Sequence, residues 1–291
     1  MERIRKLFGE VDLNWKKVII MAIVAGVYTG IVAMMPITKE TSFRDIAIQF
    51  EVWILFGIFI ICNSKSNIDS SAKCFVFFLI SQPLVYLVQV PFSEMGWSLF
   101  TYYRTWFIWT LLTIPMGFIG YYLKMNKWWG LFILTPVMLL LGLHYGDYLN
   151  LTLFHFPYHL LSTIFCFVTL LVYPLVVFKA EKLRKVGLMI SAVIILFFSV
   201  YIMFNRHVYS TILLTNGGSA GARFDDKYQA YLEDPSYGTV SIEYDESMED
   251  YVVKADMVKA GKTDLIIEDQ KGKKQIFELV INYSAIDINK K

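Results

Sequence analysis

The residues best suited to chemistry lie in one stretch, His144 to His159, which reads HYGDYLNLTLFHFPYH and holds three of the four histidines in the chain. Asp147 is its only acid. Imidazole nitrogens and a carboxylate oxygen are acceptable zinc ligands, and a catalytic zinc keeps one position open for water. His155 and His159 are four apart, a spacing that puts two ligands on one helical face. His144 and Asp147 would complete the set, and the reaction would be a metal-dependent hydrolysis at the membrane surface. Two features oppose this. Pro157 stands between the paired histidines, and no HExxH supplies a built-in base. Amphipathic side chains also gather at a membrane boundary without any catalytic role. The leading expectation is therefore interfacial, hydrogen-bonded histidines with no cofactor, and a zinc hydrolase is the sharper alternative.

A second set of polar residues falls inside apolar segments: Glu51, Gln82, Gln89 and Arg104. Ionisable or amide groups at such depth are costly unless paired or facing a cavity. Arg104 is the expected partner of Glu51. With the prolines at 83, 115 and 136, the same residues would suit the cavity of a transporter or transporter subunit.

The elements that position these residues follow from composition. The chain has 291 residues, is 56% hydrophobic and has a mean hydropathy of +0.50. Its apolar runs approach the roughly 20 residues needed to cross a bilayer. Seven spans are expected, at about 18–37, 46–62, 74–91, 104–123, 128–143, the run ending near 178, and 187–205. Residues 1–17 read as an interfacial segment carrying Trp15. In the first span Ala22, Gly26 and Gly30 form a small-residue stripe for close helix packing.

Lysine and arginine counts orient the bundle. One set of loops holds Arg3, Arg5, Lys6, Lys16, Lys17, Lys65, Lys73, Lys124, Lys127, Lys179, Lys182, Arg184 and Lys185. The opposite set holds Lys39, Arg44 and Arg104. The expectation is a plasma-membrane protein with its N-terminus in the cytoplasm and its C-terminal part outside. The basic residues hug the spans, so nucleic acid is not an expected partner; the bilayer is. Phosphate-loop patterns are absent, and the three cysteines, Cys62, Cys74 and Cys166, lie in or beside apolar segments.

Residues 206–222 read as a linker containing a Gly/Ser joint, and 223–291 as an extracytoplasmic β domain. Within the latter, 223–235 has the spacing of a short helix. After it, period-two alternation over 239–244 and 251–257, with runs at 265–268 and 275–282, predicts antiparallel strands. Two Asn-x-Ser/Thr triplets, at Asn150 and Asn282, are consistent with surface exposure. The segment AGKTDLIIEDQKGKKQIFELVIN resembles the closing strands of bacterial Ig-like domains, through Gly261, Leu265, Ile267, Asp269, Gly272, Phe277, Leu279 and Ile281. The resemblance implies a small Ig-like sandwich and a role in adhesion, spacing or recognition, with an envelope protein or glycan as ligand. The leading functional expectation is thus a non-enzymatic envelope protein that binds, senses or supports a partner.

Overall fold

The structure is a computed structural model that describes residues 6, 8–282 and 285–291. Tyr283 and Ser284, which belong to the Asn282 triplet, lie outside the described residues, as do residues 1–5 and Leu7. The chain divides into two compact units, a helical one (1–148 and 158–200) and a β-rich one (149–157 and 201–291).

The helical unit is built from α1 (Trp15–Met34), α2 (Ser42–Ile48), α3 (Phe50–Cys62), α4 (Asn67–Gln89), α5 (Phe100–Gly120), α6 (Trp128–Phe154), α7 (Leu160–Val177) and α8 (Glu181–Phe204). Six of these, with their short 3-10 extensions, are long and apolar enough to cross a membrane. The seventh expected span is a bent pair, α2 and α3, whose axes differ by 47° across Gln49. Asn14 caps α1 by accepting from the Lys17 N–H, so Trp15 begins this helix. The small-residue stripe does what its spacing predicts. A Cβ on Gly26 would stand 2.5 Å from the Ser81 carbonyl oxygen, and one on Gly30 would stand 2.8 Å from that of Val85. Only glycine lets the α1 and α4 backbones approach this closely.

α6 continues past the expected end at residue 143, so His144 and Asp147 are helical. The Asn150 triplet is inside α6 too. The Asn150 side chain accepts from the His207 N–H, and Thr152 is buried. The helix ends where Pro157, lacking an N–H, cannot continue it. His155 and His159 consequently occupy the turn between α6 and α7, and the expected shared helical face does not form.

The β unit has seven strands, β1 (Tyr209–Thr215), β2 (Gln229–Leu232), β3 (Gly238–Asp245), β4 (Asp250–Met257), β5 (Gly261–Glu268), β6 (Lys274–Ile281) and β7 (Ile286–Lys290). They form two sheets, ordered β1-β4-β3 and β2-β5-β6-β7, with every pairing antiparallel. Alternate residues of both sheets meet in one core that includes Leu214, Val253, Met257, Leu265, Phe277 and Leu279. The stretch expected as a linker supplies β1, and the expected helix at 223–235 is instead irregular chain leading into β2.

The β5–β6 hairpin carries the Ig-like resemblance. Its turn is held by Asp269, whose carboxylate accepts from the N–H groups of Lys271 and Lys273, with Gly272 at φ +79°. The sheet order departs from the immunoglobulin partition, in which one sheet holds strands A, B, E and D and the other C, F and G. Here the fifth, sixth and seventh strands all share one sheet.

Candidate functional site

In the helical unit the break at Gln49 places two acids in successive first turns, Asp45 in α2 and Glu51 in α3. Carboxylates are favoured at helix N-termini, where free N–H groups and the helix dipole oppose their charge. Each acid meets a histidine from the later stretch.

Glu51 is the more deeply buried, with a side chain 1% exposed. Its Oε1 is hydrogen-bonded to His144 Nδ1 on α6. The neighbouring Phe50 ring packs against Trp106 and Trp109 of α5 and edge-on to His144. Among the described residues the second carboxylate oxygen, Oε2, has no hydrogen-bond partner.

Asp45 forms the second pair within a denser network. Its Oδ2 accepts from His159 Nδ1 at 2.7 Å and from the Ser162 hydroxyl at 2.8 Å. Three residues earlier on α2, the N–H and hydroxyl of Ser42 both donate to the Tyr158 carbonyl at 2.9 Å, and the hydroxyl accepts from the Ser162 N–H. Two residues spaced by three on α2 thus interlock with two spaced by three at the start of α7. Buried polar groups demand this kind of satisfaction, because each lost bond leaves an uncompensated dipole in a low-dielectric interior. One atom escapes it: His159 Nε2 is buried and has no partner among the described residues.

Tyr148 follows His144 by one turn on α6, and Cys166 follows Ser162 by one turn on α7. Both groups are buried, at 6% and 1% exposure. Asp147 sits one turn beyond His144 but is exposed.

A carboxylate bonded to Nδ1 fixes an imidazole tautomer and leaves Nε2 to accept or hold a proton. That is one half of a hydrolytic triad. The other half needs a hydroxyl on Nε2. Ser162 instead donates to Asp45, and so is not activated by His159. Among the described residues no hydroxyl meets His159 Nε2, so this pair holds a proton without an adjoining nucleophile.

Of the four residues expected as metal ligands, His144 and His159 each engage a different upstream acid, Asp147 is exposed, and His155 belongs to the β unit. Among the described residues no group of three or more His, Cys, Asp or Glu converges as a metal site. The residues expected to line a cavity have different surroundings. Gln82 is buried, with no partner for Nε2 among the described residues, while Gln89 donates back to the Val85 carbonyl. Arg104 is exposed, and Glu51 takes His144 as its partner. Asp45 carried no signal of its own in the sequence. It was discoverable only by noting that the acids opening the second span and the later histidines fall at the same end of an alternating bundle.

Comparison with protein-family models, with curated proteins and with solved structures finds no match for this chain.

Proposed function

We propose that this chain is a multipass membrane protein of the cell envelope that holds a β domain outside the cytoplasmic membrane, where the domain binds, senses or supports a partner without catalysis. The observation that carries the reading is the outer surface of the helical unit. Val24, Ile108, Phe132 and Leu196, on four different helices, are each more than half exposed. A water-soluble bundle of this size would turn such side chains inward, whereas lipid accepts them. Counting the α2–α3 pair as one crossing gives seven, and the loop charges then put the N-terminus inside and residues 206–291 outside.

A binding role for the β unit is supported by its two-sheet core and by the sequence resemblance of its β5–β6 segment to bacterial Ig-like domains. An envelope protein or a glycan is the expected class of ligand. The test is genetic. A strain whose copy of the chain stops after Asn205 should share the envelope phenotype of a full deletion, with the truncated helical unit still inserted. Full rescue by the truncated copy would contradict the proposal.

A second reading rests on Glu51 Oε2 and His159 Nε2, which are buried with no hydrogen-bond partner among the described residues. Buried carboxylate–imidazole pairs are the usual components of proton-linked transport. Reconstituted chain carrying Glu51→Gln should then lose proton-coupled flux. Unchanged flux would remove this reading and leave the first untouched.

A further inference from the structure

At the lysine-rich end of the helical unit a pocket of about 370 Å³ opens between the ends of α3, α5 and α7 and the segment before α1. Its walls include Phe8, Cys62, Met125, Val176 and Val177, which are apolar, and two cations, Lys124 and Lys179, stand with them. Glu10 is the one acid among its described lining residues. We propose that this pocket binds the phosphate headgroup of an anionic phospholipid. The inference rests on the membrane reading above and goes beyond it, since it concerns the lysine-rich end of the helical unit.

Three observations support it. First, Lys124 is held in place. Its ammonium donates to the Ser64 carbonyl and lies 4.3 Å from the centre of the Tyr121 ring, whose hydroxyl in turn donates to the Lys65 carbonyl. A positioned ammonium binds an anion at lower entropic cost than a free one.

Second, cations outnumber acids locally. Lys73 and Lys179 both act on Lys124. Asp69 answers Lys73 directly, at 2.8 Å, and reaches Lys124 only through space. Among the described lining residues two lysines, Lys124 and Lys179, stand against one acid, Glu10.

Third, the wall opposite the helices is fixed. Asn63 accepts from the Val11 N–H at 2.9 Å and donates to the Phe8 carbonyl, while the Phe8 and Phe59 rings meet edge-on. Basic pockets between spans, on the side bearing the positive loops, suit phosphate headgroups. The apolar wall favours a lipid over free phosphate, because it can cover the glycerol and the first acyl carbons.

The test uses the full-length chain reconstituted in nanodiscs of phosphatidylglycerol, or of phosphatidylcholine alone, followed by partial delipidation and native mass spectrometry. One phosphatidylglycerol per chain should be retained, and phosphatidylcholine should not. Lys179 is exposed and makes no hydrogen bond or ion pair among the described residues, so Lys179→Glu should fold normally and lower retention at least tenfold. Lys124→Arg with Lys179→Arg should keep it. Equal retention of the two lipids, or retention unchanged in Lys179→Glu, would overturn the proposal. So would inorganic phosphate displacing the lipid at equal concentration, which would mark a free-anion site instead. Release of the chain from native membranes by alkaline carbonate would defeat the membrane reading itself, and is scored separately.

Discussion

Asp45 and Glu51 do similar work with different margins. Asp45 accepts from two side chains, so its removal leaves His159 without a partner for either nitrogen and frees Ser162 as well. Removing one partner of a buried carboxylate–imidazole pair costs on the order of 3 kcal/mol, and losing a single neutral donor about 1 kcal/mol. Asp45→Ala should therefore lower the stability of the detergent-solubilised chain by about 3 kcal/mol, and Ser162→Ala by about 1 kcal/mol. Equal losses in chemical denaturation would show that the carboxylate is not the hub. Replacing the other pair together, Glu51→Leu with His144→Phe, should cost less than Glu51→Ala alone, because no unpaired charge remains. The histidines were legible in the sequence as residues with chemical potential, since they cluster. Their partners were not. Arg104 was the expected neighbour of Glu51 on charge alone, yet it lies exposed, while an imidazole from a helix about ninety residues later takes that place. Pairing across that separation is decided by helix packing, which one-dimensional spacing does not encode.

Among the elements, the helices were the most readable, because a span is announced by length and apolarity alone. The α1 stripe gives a direct check. Gly26→Val would push a branched side chain into the Ser81 carbonyl, and overpacking of this kind costs about 1–3 kcal/mol. Gly57, with nothing near its Cβ position, should tolerate alanine with little change. Comparable melting shifts for the two variants would mean that the α1–α4 approach is not tight. Strands were harder to read. β1 was hidden by its register shift between Ile212 and Leu214, which breaks the two-residue alternation that marks a strand. The 223–235 stretch imitated a helix because Phe224, Tyr228 and Leu232 recur every four residues. In the fold Leu232 faces Leu265 across a sheet, and Phe224 enters the core from irregular chain.

The β3–β4 sheet and the turn leading into it add a pH prediction. The Ser236 N–H holds the Asp234 carboxyl below the usual carboxylate range, the Ser241 hydroxyl and Lys254 do the same for Glu243, and the Ser247 hydroxyl does so for Asp245. Since the folded values are the lower ones, the unfolded chain binds protons first as pH falls. This stabilisation is complete above the ordinary carboxylate range and is lost as pH drops through the depressed values. Amide exchange over 238–257 should therefore accelerate, after correction for intrinsic rates, below about pH 4. Acceleration confined to neutral pH would contradict the assignment.

At the scale of the whole molecule, a bundle with apolar side chains outward and a β unit with its apolar side chains inward require different solvents. Under the proposed topology the charge asymmetry of the loops puts one end of the bundle at the cytoplasm, and the bent α2–α3 pair is the crossing on which the count depends. If that pair failed to cross, the two ends of the chain would lie on the same side of the membrane. Cysteine accessibility in intact cells decides this most directly. The native cysteines are all buried, so a single new thiol can be read against a quiet background. Under the proposed topology, Met248→Cys should react with a membrane-impermeant maleimide in intact cells, and Lys65→Cys should react only after the membrane is opened. Labelling of Lys65→Cys in intact cells, or protection of Met248→Cys until lysis, would contradict the account.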